Sequence, residues 1–219
     1  MLAIAGSAAA QDTAIGSRLK AREDVAVRSG QDSITEGHRY LRCVVNKRTG
    51  SAERVINATT EAEFEAADRV LSREVTCTSL VASSIQQTGQ RLAMDRDVYR
   101  GALAEALLGV AGKHPALEPL PLQREYHSPW AGVSGRNLVV EEMATCVAAI
   151  APAGIEALLA TKPGSPEDAA AIRALSPSYS TCLTASAKLT ANRASMRAAM
   201  AEALYHRLHP ITLAATAKN

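Results

Sequence analysis

The sequence predicts an all-α protein of two pseudo-symmetric helical repeats joined by a Pro/Gly-rich connector. Three observations carry the prediction. The seventeen residues from Leu92 to Leu108 recur without a gap from Leu189 to Tyr205, with identity at eight positions. Self-similarity of this kind means one folding unit stacked on a copy of itself. Alanine, the best helix former, is abundant, and aromatic residues make up only 3% of the chain. Runs of β-branched residues are short, so strands have little to build on.

The similarity extends upstream. Ala66 to Ser72 matches Ala170 to Ser176, and Cys43 and Cys77 occupy the places of Cys146 and Cys182. The two cysteine intervals are 34 and 36 residues. The organisation read from this is a signal-peptide remnant at 1–10, an N-terminal arm at 11–31 and a first repeat at 32–109. A connector at 110–136, a second repeat at 137–208 and a tail at 209–219 follow.

Taken in order, Ala14 to Arg28 is charged and patterned like a helix. Ser33-x-x-Glu36 reads as a capping box opening the helix that carries Cys43, and Thr60-x-x-Glu63 as a second one opening the helix through Phe64 and Leu71. Val75 to Val81 is read as helix. Asp95 and Asn192 are natural N-caps for the shared seventeen residues. Pro115, Pro119, Pro121 and Pro129 with three glycines forbid a continuous helix through the connector. Trp130, the only tryptophan, lies within it and is expected to pin that segment to the body. Pro152 and Pro166 suit first helical positions, the latter behind Ser165 as N-cap.

On the shared helix, Arg96 and Arg100 fall beside Leu103 and Leu107, and Arg193 and Arg197 fall beside Met200 and Leu204. Glu105 and Glu202 point to the opposite face and cannot pair with these arginines within one helix. Two roles suit core-facing arginines kept in both copies. They cap a neighbouring helix or pair with its carboxylate, or they line pockets for an anionic ligand or partner.

Four cysteines allow three pairings. A unit copied whole carries its own staple, which favours Cys43 with Cys77 and Cys146 with Cys182. Each bridge closes a loop worth roughly 3 to 4 kcal/mol in the chain-entropy account. Buried free thiols or a metal site are the alternatives, although no two cysteines have zinc-knuckle spacing.

M-L-A-I-A-G-S-A-A-A-Q-D resembles the end of a secretory signal whose start lies upstream of Met1. With the even cysteine count, this places the protein in the periplasm or outside the cell. Net charge is +2 with no basic block, which argues against nucleic acid, and no run approaches the roughly 18 to 20 apolar residues that span a bilayer. Glu202, His206 and His209 have ligand-like spacing, but Pro210 biases His209 out of the helix, so no metal is expected. Gly109 to His114 lacks phosphate-loop spacing, and Ser134 does not sit in a nucleophile elbow, so no catalytic residue and no cofactor is assigned.

A-P-A-G-I-E-A-L-L-A-T-K-P-G-S-P-E-D at Ala151 to Asp168, with R-A-A-M-A-E-A-L-Y at Arg197 to Tyr205, resembles a group of uncharacterised exported bacterial proteins. That resemblance implies export and no activity. The function expected is a binding or structural module whose partner is a protein or a small anionic ligand. The rival is an enzyme with its site between the repeats, using Arg100, Arg197 and Tyr126 or His127 of the connector.

Overall fold

A computed structural model describes residues 14–74, 76–77, 94–112, 114–184 and 187–211, with side chains from residue 34 onward. The chain divides into two compact units, Met1–Ser33 and Ile34–Asn219. The described part of the first is helical backbone. The second is all-helical among the described residues and holds the core. The remnant at 1–10, the segment 83–89 and the residues beyond 211 lie outside the described residues.

α1 runs over Ala14–Asn57 and α2 over Glu61–Leu71. Ser33 therefore opens nothing, which corrects the first capping box: the helix has already started at Ala14, so the amides after Ser33 have partners in the preceding turn and need no cap. α1 instead breaks at Arg48, whose φ of −138° and ψ of 41° leave helical geometry. At α2 the Thr60 hydroxyl accepts from the Glu63 amide while the Glu63 carboxylate accepts from the Thr60 amide, the expected reciprocal cap. Of the segment read as helix at 75–81, Thr76 and Cys77 lie in a turn and the rest is outside the described residues.

α3 covers Arg96–Ala111 and runs past Gly109, where the repeat was expected to end, stopping at Gly112 with φ 78°. Asp95 stands at its N-cap, but its side chain makes no capping bond. After an extended stretch, α4 (Ala131–Ser134) leads into α5 (Leu138–Ile150) and α6 (Pro152–Leu159). The break between α5 and α6 falls at Ala151, with φ −139° and ψ 50°, and Pro152 takes the first turn of α6 as expected. α7 (Pro166–Ala174) starts from Ser165, whose hydroxyl accepts from the Asp168 amide. α8 spans Ser176–Cys182 and α9 spans Arg193–Leu208, capped by the Asn192 side chain on the Ser195 amide.

Two apolar clusters form the core. Leu41, Val44, Val55, Ile56, Phe64 and Leu103 anchor the first, around α1, α2 and α3. Val140, Val147, Ile155, Leu158, Met200 and Leu204 anchor the second, around α5, α6 and α9. α3 and α9 meet where a Cβ on Gly101 would lie 2.2 Å from the Cα of Ala198. Small residues let the two backbones touch there.

Cys43 bonds Cys77, and Cys146 bonds Cys182, the expected pairing, with sulfurs 2.07 and 1.99 Å apart. These bridges suit an oxidising compartment. Among the described residues no single helix is long and apolar enough to cross a membrane. α5 and α6 together would be, but they are bent by 105° and bury most of their apolar residues in the core.

Candidate functional site

Arg100 is completely buried. Its Nε and Nη2 donate to Glu202 Oε1 on α9 at 3.0 and 2.5 Å. Nη1 and Nη2 also donate to the carbonyls of Val55 and Ile56, each at 2.7 Å, at the end of α1. Those carbonyls have no partner within their own helix, so the guanidinium satisfies them. Arg197 does the same with other residues. Its Nε and Nη2 donate to the two oxygens of Glu105 on α3, both at 2.9 Å. It also reaches the carbonyls of Leu158, Leu159 and Thr161 at the end of α6, and Asp168 Oδ1 at 2.8 Å.

Arg96 and Arg193 differ from these two. Arg96 is exposed, forms a two-pronged pair with Glu61 at 2.7 and 2.8 Å, and lies over the Phe64 ring. Arg193 is exposed and stands 3.8 Å from Asp168. His127 is exposed beside Glu125, and the Tyr126 hydroxyl accepts from the Gln123 amide. No contact described for either residue is with Arg100 or Arg197.

Glu202 carries a second arginine that the sequence reading missed. Arg136, just before α5, donates through Nη2 to Glu202 Oε2, through Nε to Glu141 Oε1 at 2.6 Å, and through Nη1 to the Asp97 carbonyl. Trp130 donates its indole N–H to Glu141 Oε2 at 3.1 Å and stacks on His206 with 3.8 Å between ring centroids. The expected pinning by Trp130 is thus made through a hydrogen bond and a ring stack. Burial alone would raise the Glu202 carboxyl, but Arg136 and Arg100 outweigh it and hold it below the usual carboxylate range. Burial lowers the His206 imidazole to about 4, despite Glu202 3.9 Å away. Neither His206 ring nitrogen has a hydrogen-bond partner.

Glu105 stands in a different setting. It lines an open cleft of about 570 Å³, together with His38, Arg42, His114 and Glu156. His38 Nδ1 is 3.5 Å from Glu105, and burial keeps that imidazole below its ordinary value although Glu105 opposes the shift. Glu156 Oε1 is shielded from solvent and has no hydrogen-bond partner, while His114 Nε2 stands 3.9 Å away. A second cleft, of about 940 Å³, lies beside Asn57, Glu63, Val70 and His209. Of these residues the sequence reading named Glu105 on the shared helix, His114 at the end of a rejected phosphate loop, Glu63 in a helix cap and His209 in a rejected metal spacing. His38 is one of many polar residues on α1 and Glu156 the lone charge on the apolar α6, and no motif or spacing distinguishes them.

Among the described residues no three His, Cys, Asp or Glu side chains gather closely enough to hold a metal ion. His209 packs on Tyr205 outside the helical geometry of α9, as Pro210 implies. Comparison with family models, with curated proteins and with solved structures returns no match.

Proposed function

We propose that this chain is an exported, disulfide-stapled binding module, built by duplication of one helical unit and binding its ligand in the cleft beside Glu105. The observation that carries the reading is the reciprocal exchange between α3 and α9. Each helix supplies an arginine to the carboxylate of the other, and each arginine closes the end of a helix in its own half.

The spacing supports the duplication. One interval separates Cys43 from Cys146, Arg48 from Ala151, and Val55 from Leu158. The first pair bears the bridges, the second the two helix breaks, and the third the carbonyls that accept from the arginines. A second interval separates Arg100 from Arg197 and Glu105 from Glu202. The resemblance to exported bacterial proteins and the two bridges favour the periplasm or the extracellular space.

A module of this kind holds its scaffold rigid and leaves polar groups converging on one concavity. The arginines serve the scaffold, because each of their nitrogens donates to the protein itself. The cleft offers two carboxylates and two imidazoles on an apolar floor of alanine and leucine.

Screening a library of small fragments by NMR, with assigned amides and histidine side chains, tests the reading. Shifts confined to the surroundings of His38, His114 and Glu156 are expected. Shifts confined to other surfaces, or none with any fragment, overturn it. Mass spectrometry of unreduced peptides from the protein in its native cells tests the compartment, with Cys43–Cys77 and Cys146–Cys182 peptides expected.

A further inference from the structure

The two ends of the α3–α9 pair are closed differently. At one end Glu202, His206 and Glu141 surround a plug made of Trp130 and Arg136. The intervals of the duplication carry these three positions to Glu105, Gly109 and His38. All three line the 570 Å³ cleft. Where α9 has the His206 ring under Trp130, α3 has Gly109, and a Cβ there would meet nothing within 4 Å. Among the described residues, no tryptophan or arginine fills the Glu105 end as Trp130 and Arg136 fill the other.

We propose that this cleft is a ligand site for an organic cation, an amidinium, guanidinium or protonated amine carried on a flat apolar body. The inference rests on the binding-module reading and adds the chemistry of the ligand. What the plug supplies at the Glu202 end defines that chemistry: a planar ring against the helix and a cation beside a carboxylate.

The walls agree with it. The Glu156 side chain is partly exposed, but its Oε1 is shielded and makes no hydrogen bond, with only the His114 imidazole 3.9 Å away, so a donor entering the cleft meets an acceptor still open to it. Glu105 meets the Arg197 fork through both oxygens and keeps lone pairs for a further donor. His38 is neutral at pH 7 and does not repel a cation. Ala102, Ala106, Leu108, Leu159 and Leu204 give the apolar surface against which a flat body lies. Arg42 and Arg197 are the opposing charges: Arg42 is exposed, where water screens it, and Arg197 is already paired with Glu105 and Asp168.

Benzamidine, benzamide and benzoate share one shape and differ in charge, so titrating the full-length oxidised protein with each isolates the preference. Benzamidine is expected to saturate the cleft at least tenfold more tightly than the other two. Glu156→Gln, on a partly exposed side chain, weakens benzamidine at least fivefold, and Gly109→Trp, built into open space, abolishes it; circular dichroism verifies both folds. Tryptophyl-arginine amide separates the sources of the cation. Tighter binding than benzamidine assigns the site to an arginine side chain of a peptide, weaker binding to a free small cation. No saturation, a preference for benzoate, or benzamidine binding untouched by both variants overturns the inference. Equal response to all three probes, still confined to the cleft, removes the cation preference and leaves the binding module standing.

Discussion

Glu202 and Glu105 occupy matching places on two crossing helices, yet one is sealed and the other faces a cleft. Glu202 is held between two arginines, with no exposed side-chain surface, beneath Trp130. Glu105 meets one arginine, keeps 19% of its side chain accessible, and has His38 beside it. The same arginine–glutamate exchange therefore serves two purposes. Where the proline-rich segment folds over it, the exchange belongs to a dry core. Where Trp130 and Arg136 do not reach, its carboxylate becomes the wall of a concavity.

The sharpest way to break this comparison is to neutralise each carboxylate in turn. Glu202→Gln leaves the fully buried Arg100 with no carboxylate partner and Arg136 with Glu141 as its only one, and about 3 to 5 kcal/mol of stability is expected to be lost. Glu105→Gln leaves the buried Arg197 paired with Asp168 and bonded to the carbonyls at the end of α6, and the new amide sits where water still reaches, so the loss is expected to be about 1 to 2 kcal/mol. Urea unfolding of the oxidised proteins measures both, and equal losses would sink the distinction.

Acid sharpens it next. His206 is neutral and buried, with its pKa lowered from 6.5 to about 4, so the unfolded chain binds a proton that the folded chain refuses. Its contribution is intact above pH 6.5 and is lost as pH falls toward 4, roughly 3 kcal/mol in all. His38 is shifted in the same direction, so its contribution has the same sign. His206→Phe keeps the stack on Trp130 and is expected to flatten the decline more than His38→Phe does. Stability measured from pH 7 to pH 4 decides it, and an unchanged slope in both variants contradicts the burial of these rings.

The smallest expected effect compares two glycines of α3. Gly101→Ala gains helix propensity but drives a methyl into the backbone of Ala198, and a loss of about 1 to 3 kcal/mol is expected. Gly109→Ala meets open space and is expected to gain up to about 1 kcal/mol. Thermal unfolding of the two variants gives the signs, and a stabilised Gly101→Ala would mean the helices do not touch there.

Much of the scaffold was legible because its signals are local. Thr60, Ser165 and Asn192 cap helices through bonds to amides three residues away, and such bonds are written into adjacent sequence. The cysteine pairing was expected from the self-similarity of the sequence, in which two cysteines accompany each copy. Ser33 misled because a capping pattern inside a good helix has no end to cap. Asp95 occupies the expected position without making its bond. The helical wheel showed that Glu105 and Glu202 turn away from the arginines on their own helix. It could not show that each turns toward the arginine of the other, since a wheel contains no partner. Arg136, Glu141, His38 and Glu156 were missed for the same reason: a polar residue outside any motif acquires meaning only from what packs against it.

The two bridges join consecutive cysteines, first with second and third with fourth. A polypeptide threaded amino end first through a narrow exit presents Cys43 and Cys77 before any rival thiol has emerged. Oxidation on arrival then yields the native link by default, and the later pair meets a partner already committed elsewhere. For a chain that emerges in this order, consecutive pairing lowers the demand for an isomerase to reshuffle mistakes.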